Sequence, residues 1–169
     1  MSMSIRATAL ALAVLTLSLP LEAQQGAMTP EQVAQVKKEV AAAVHTYYRL
    51  FTEHNMDALG TQVYHAPWMQ LGANGIEVDQ TPADVTKRFD ASMKRLIESG
   101  WAKSEFANPV VCVLNPGAAL ASGTFKRYRK DGSVISESGI TYLFGKAKDG
   151  WKIISYAGHA TNKLVTCND

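Results

Sequence analysis

The sequence predicts an α+β domain: a curved antiparallel sheet, rolled as a cone around helices on its concave face. Three observations carry that reading. From Pro109 to His159 the chain holds four runs rich in β-branched and apolar residues, joined by turn chemistry. Upstream lie two amphipathic helical patterns with capping signals, and a short hairpin pattern separates them. A meander with one apolar face needs a cover, and those two helices are the segments available to supply it.

Residues 1–23 read as a secretory signal peptide. Arg6 ends a short positive segment, Ala7 to Leu19 is an apolar run too short to span a bilayer, and Leu21-Glu22-Ala23 offers a small residue at a cleavage point. The expectation is a secreted or periplasmic protein, without membrane contact after cleavage, forming a single domain over 24–169. Thr29-Pro30-Glu31-Gln32 opens the first helix with a cap, a proline at the first helical position and a capping-box glutamine. Its apolar stripe is Val33, Val36, Val40, Val44, Tyr47 and Phe51. Thr61 to Gly72 reads as a strand, with Val63, His65, Pro67, Met69 and Leu71 on one face and Tyr64, Ala66, Trp68 and Gln70 on the other. Pro67 removes a ladder hydrogen bond, so this strand should be an edge or contain a bulge. Gly72-Ala73-Asn74-Gly75 turns into a short return strand at Ile76-Glu77-Val78. Thr81-Pro82-Ala83-Asp84 starts the second helix, with the stripe Val85, Phe89, Met93, Leu96 and Ile97. Trp101 to Ala107 leads into the meander Pro109–Leu114, Ala118–Arg129, Val134–Phe144 and Trp151–Tyr156. The Asp-Gly pairs at 131–132 and 149–150 suit type I′ hairpin turns.

Composition excludes several classes. The chain has 169 residues, 47% hydrophobic and 19% charged, with formal net charge +2, which argues for neither nucleic acid nor an anionic membrane as partner. The basic run Lys126-Arg127-Tyr128-Arg129-Lys130 ends a strand and reads as a solvated edge. Cys112 and Cys167 permit a disulfide in an exported chain, while a buried free Cys112 beside a loose Cys167 fits equally well. No two histidines stand at metal-ligand spacing, Gly72–Gly75 lacks the phosphate-cradling pattern, and Gly-x-Ser-x-Gly does not occur. Neither a metal nor a cofactor is expected.

Three stretches carry a family resemblance: Tyr47-Tyr48-Arg49-Leu50-Phe51 followed by Asn55-Met56-Asp57-Ala58-Leu59, the helix Pro82 to Leu96, and Asp149-Gly150-Trp151-Lys152-Ile153. In order and spacing they resemble the nuclear transport factor two-like superfamily, also called SnoaL-like or ketosteroid-isomerase-like. The resemblance runs from about Val33 to His159. It implies an apolar pocket between helices and sheet, and a homodimer through the outer sheet face. It says little of function, since the superfamily hosts isomerases, dehydratases, cyclases and plain binding modules. The resemblance places Tyr47 at the donor tyrosine of the isomerases. The isomerase base falls near Leu71 and the second acidic donor near Thr141, and neither position is acidic here, so that proton transfer cannot run in the same way.

Two functional readings follow. In the first, an exported cone binds a small apolar or aromatic molecule, with Tyr47, Met69, Phe89, Met93, Glu137 and Thr141 lining the pocket. In the second, a cofactor-free acid–base enzyme of isomerase, dehydratase or cyclase type uses His65 as base and Tyr48 or His159 as donor. Each residue also has a plain structural account. Tyr47 belongs to the helical stripe, His65 and His159 suit strand positions without chemistry, and Glu137 suits a solvated strand face. Trp68, Trp101, Tyr142 and Tyr156 read first as core and second as ligand-stacking rings.

Overall fold

A computed structural model describes residues 27–167; residues 1–23, expected from sequence to be a signal peptide, lie outside the described residues. The elements are helix α1 (Pro30–Thr52), a one-turn helix α2 (Met56–Ala58) running into a π-helical turn (Leu59–Val63), strands β1 (Tyr64–Gly72) and β2 (Gly75–Asp79), helix α3 (Pro82–Glu98), and strands β3 (Trp101–Asn115), β4 (Ala118–Arg129), β5 (Val134–Ala147) and β6 (Gly150–His159). They form one curved, unclosed six-stranded sheet in the order β2-β1-β6-β5-β4-β3, with the helices on its concave side. The expected meander is β3 to β6, antiparallel throughout. The hairpin joins it by a parallel pairing of β1 with β6.

Both helices begin as the sequence indicates. Thr29 and Gln32 exchange hydrogen bonds with each other's backbone, and Thr81 and Asp84 do the same, each ahead of a proline at the first turn. The buried faces are Val36, Val40, Val44, Leu50 and Phe51 on α1, and Val85, Phe89, Met93 and Leu96 on α3, whereas Ile97 faces solvent. The strand pair β4–β5 closes differently from a type I′ turn. Asp131 keeps negative φ and only Gly132 is left-handed, while the Asp131 carboxylate accepts from the Ser133 backbone N–H at 2.9 Å. At the second Asp-Gly pair, too, only the glycine takes positive φ. A type I′ turn needs positive φ at both central residues, so an aspartate of negative φ followed by a left-handed glycine is a different hairpin solution.

β1 is an interior strand, and it takes up Pro67 by the second of the two expected routes. Its pairing with β6 jumps from Tyr64↔Ile153 to Met69↔Ser155, so Pro67 lies within a bulge. A second bulge has wider consequences. In β6 the partners of Phe144 and Leu143 are Ile153 and Ser155, leaving Ile154 as one extra residue. Trp151 and Ile153 therefore face the helices, as do Tyr156 and Gly158 beyond the bulge, while Ser155, Ala157 and His159 face outward.

Polar pairs tie the helices to this frame. Glu39 of α1 accepts from Trp151 Nε1 at 2.7 Å and Lys146 Nζ at 2.9 Å, anchoring the helix to β5 and β6. Arg88 of α3 grips Asp79 of β2 with two N–H groups at 2.6 and 2.9 Å and also reaches Glu77. Lys152 is buried. It donates to the carbonyls of Thr61 and Gln62 at 3.3 and 2.7 Å, capping the π-helical turn, and pairs with Asp149.

Of the two readings of the cysteines, the bonded one holds: Cys112 of β3 and Cys167 form a disulfide across 55 positions. The tail from Ala160 onward thereby crosses the outer face of the sheet. Its Val165 N–H donates to Ser122 Oγ at 2.9 Å, and Ser122 is fully buried beneath it. Part of the face expected to carry a dimer contact is thus covered by the chain itself.

Three measurements test these assignments. Replacing Arg88 with Met leaves the 6%-exposed Asp79 charge without its fork and should cost on the order of 2–3 kcal/mol in urea denaturation, whereas Lys103→Ala at an exposed pair should leave the urea midpoint nearly unchanged. The double variant Cys112→Ser/Cys167→Ser should lose about 2–4 kcal/mol, and reductant should lower the wild type to the same level without affecting the variant. Hydrogen bonds from Trp151, then Gln35 and Lys146, pull the Glu39 carboxyl down from an ordinary 4.5 to about 2. A carboxylate depressed in the folded state contributes stability above its unfolded value, which is lost as pH falls through the folded one. Thermal melts from pH 4.5 to 2 should therefore show a steeper acid-side fall for wild type than for Glu39→Gln.

Candidate functional site

The curvature of the sheet leaves a hollow of about 240 Å³ between α1, α3 and the concave face. α1 contributes Tyr47, Tyr48 and Phe51, and α3 contributes Phe89 and Ser92. Ser104 comes from β3, Phe125 and Arg127 from β4, Ser138, Ile140 and Tyr142 from β5, and Tyr156 and Gly158 from β6. These residues meet because strand alternation turns Phe125 and Arg127, and Ser138, Ile140 and Tyr142, to the same side.

The wall is an interlocked set of rings. Tyr142 contacts Tyr47, Phe106, Phe144 and Tyr156 at centroid separations of 5.7–6.2 Å. Tyr64 stacks on Phe89 at 4.9 Å, and Tyr48 stacks on Phe106 at 5.6 Å. Phe106 can lie flat here because position 123 is glycine; a Cβ there would stand 2.6 Å from the Phe106 ring. Such edge and offset contacts hold aromatic side chains rigidly, so they frame a space instead of collapsing into it.

Polar groups are few and placed among the rings. Tyr48 and Tyr142 share a hydrogen bond between hydroxyls at 3.1 Å, joining α1 to the sheet. Tyr156 donates to Gln70 Oε1 at 2.7 Å. Burial pushes the hydroxyls of Tyr47, Tyr48, Tyr142 and Tyr156 above the ordinary tyrosine range, so all four stay neutral at physiological pH. Arg127 lies with its guanidinium 4.9 Å from the Phe125 ring centroid.

A second, wider space of about 840 Å³ opens between α1 and β3. Its walls are chiefly apolar, including Val44, Phe106, Pro109 and Val111, with His45 and Glu105 among the polar groups on it. Tyr48 and Ser104 border both spaces, so the Tyr48 ring, held by Phe106 and Tyr142, partitions them.

The structure brings together only part of the set of residues expected from sequence. Tyr47, Tyr48 and Phe89 line the hollow, and Met93 is core beneath it. The expected inward face of β1 is reversed: His65 and Met69 face outward, while Tyr64 and Trp68 are buried under α3. The reason is area, since burying Tyr and Trp removes far more apolar surface from water than burying His and Met. Glu137 and Thr141 also face outward. Glu137 pairs with Lys126 at 3.2 Å across the outer face.

His159 is displaced by the bulge at Ile154. It lies over Gly139, where a Cβ would stand 2.2 Å from the ring. Its Nε2 meets Thr141 Oγ1 at 2.9 Å and its Nδ1 meets the Ala160 carbonyl at 2.9 Å. With Nδ1 protonated, Nε2 accepts from Thr141, Thr141 accepts from Ser122 at 2.8 Å, and Ser122 accepts from the Val165 N–H. Every member of this chain then has a partner, and its work is to fasten the tail. Arg127 is the residue read differently from sequence, as solvated edge. The signal was there: it stands two residues from Phe125 and four from Gly123, in step with the apolar face and out of step with Lys126 and Tyr128.

The comparisons with known proteins agree with this geometry. A family model described as "NTF2-like protein (DUF6841)" matches residues 38–161. No curated protein matches the sequence. Among solved structures, an NTF2-like protein with a cystatin-like fold from Novosphingobium aromaticivorans is similar with a TM-score of 0.65 at 14% identity, covering 79% of this chain and 86% of its own. Aln2 from a Streptomyces species has a TM-score of 0.61 at 14% identity, covering 80% and 94%. A putative calcium/calmodulin dependent protein kinase II association domain from Xanthomonas campestris has a TM-score of 0.56 at 19% identity, covering 74% and 87%. At such identities these structures establish the fold alone. The matched span, together with the cone of six strands and three helices, shows that this chain belongs to the NTF2-like family DUF6841.

Proposed function

We propose that this protein is an exported binding domain that holds one small apolar or aromatic molecule in the hollow beneath α1 and α3. The observation that carries the reading is a ring-walled space of about 240 Å³ that the protein's own side chains leave open. Apolar walls with a few convergent polar groups are the general pattern of small-molecule sites. The space is smaller than most such pockets and corresponds to about eight waters, which suits a single-ring guest.

Binding fits the hollow better than acid–base catalysis does. Abstracting a proton near neutral pH needs a group that can accept one. The residues lining the hollow include neither carboxylate nor imidazole, and burial keeps its tyrosines protonated. His65 and His159, the histidines that sequence reasoning put forward, stand on the opposite side of the sheet. The residues proposed to hold the guest are therefore Tyr47, Tyr48, Phe89, Tyr142 and Tyr156. Export to an oxidising compartment is supported by the Cys112–Cys167 disulfide, which cytosolic thiol buffers would keep reduced, and by the apolar run at 7–19.

Titration with p-cresol, followed by NMR, tests the reading. Signals of Tyr48, Tyr142 and Tyr156 should shift together in the wild type. In Ser92→Phe, which puts a ring into the space from half-buried α3, the shifts should vanish with the melting temperature changed by only a few degrees. Shifts that persist unchanged in that variant, or none in the wild type, would contradict it.

A further inference from the structure

The hollow contains one charged group, and its surroundings are unusual for a cation. Arg127 is half-buried among Phe125, Tyr48 and Tyr156. Other cations of the fold have carboxylate partners: Arg88 has Asp79 and Glu77, Arg49 has Glu53, and Lys152 has Asp149. Among the described residues, no carboxylate pairs with Arg127. Its cross-strand neighbours on the concave face are Ser104 and Ser136, and the adjacent acid, Glu137, faces away toward Lys126. A guanidinium held partly out of water without a counter-ion costs free energy unless something offsets it.

The groups around it are chemically one-sided. None carries a negative charge: Ser92 and Ser104, which accept from Arg95 and the Trp101 indole, keep a proton to donate, as does one of the Tyr48–Tyr142 pair, whereas Tyr156 and Ser138 already donate to Gln70 and the His159 carbonyl. Ser136 Oγ, buried beside Arg127 on the neighbouring strand, has no hydrogen-bond partner. A planar fork of N–H donors ringed by hydroxyls, with the remaining wall made of rings, is complementary to a planar acceptor carrying negative charge at one end of an apolar body.

We propose that the hollow binds a small organic acid, an aromatic or apolar body of about one ring whose carboxylate is received by the Arg127 guanidinium. This rests on the binding reading above and adds the charge and orientation of the guest. The carboxylate supplies the missing counter-ion, the body replaces water against Tyr47, Phe89 and Tyr142, and an aliphatic cation is disfavoured. In a site where Arg127 is the single charged group, removal of the guest's charge forfeits a charge-assisted, two-bond contact.

The test compares sodium benzoate with benzamide, which has nearly the same shape and no charge, by NMR titration of the full mature chain. Wild type should bind benzoate at least about tenfold more tightly than benzamide. In Arg127→Met that preference should fall to within about twofold, chiefly through loss of benzoate affinity, while an unchanged dispersed amide spectrum shows that the variant is folded. Arg127→Lys, which keeps the charge but loses the fork, should fall between the two. Equal affinity for the two probes in wild type, or an undiminished preference in Arg127→Met, overturns the proposal. If p-cresol still binds in the hollow in either of those cases, the binding reading survives. If p-cresol, benzoate and benzamide all leave the hollow's signals unmoved, both fall.

Discussion

One extra residue in the central strand, Ile154, decides which side chains of β6 meet the helices. Without it, alternation from Trp151 would carry Ser155 and His159 to the concave face and Tyr156 to solvent. With it, Tyr156 closes the hollow against Trp68 and Tyr142, and His159 is sent to the outer face to fasten the tail. β6 pairs with β1 on one side and β5 on the other, so the register set there passes to both halves of the sheet. A shift of one residue in a strand reverses every side chain beyond it, which makes this a cheap way for a sequence to exchange a polar wall for an aromatic one.

The hollow persists because its wall is made of rings that already touch one another. Tyr47, Tyr48, Tyr142 and Tyr156 gain edge and offset contacts along the wall, and each is spared the loss of those contacts that filling the centre would require. Their hydroxyls stay neutral because the same burial that packs the rings penalises tyrosinate. Arg127 is the exception to this neutrality, and its charge gives the space a direction.

Much of the frame was legible in the sequence. The two Thr-Pro capping signals placed α1 and α3, the apolar steps of three and four named their buried faces, and the turn residues divided the four strands of the meander. All of these are local signals, written within a few residues of the feature they specify. The site was less legible. Alternation in β1 separated the faces correctly, but which face pointed inward depended on what α3 needed to cover. The bulge at Ile154 has no composition signal of its own. It exists because Ile153 and Tyr156 must both face the helices, a condition imposed from across the sheet. Arg127 was masked by its neighbours: four basic or aromatic residues around it described an edge, while its own parity described an interior.

The account turns on whether the space between Arg127 and the aromatic wall receives a guest. The most direct measurement is a high-resolution crystal structure of the protein purified from its own host, examined for density in that space. The account predicts a compact, flat density against Phe89 and Tyr142, with one end within hydrogen-bond distance of the Arg127 guanidinium. A space closed by Tyr48 or Arg127 itself, or an Arg127 side chain turned out to pair with a carboxylate of the protein, would contradict it.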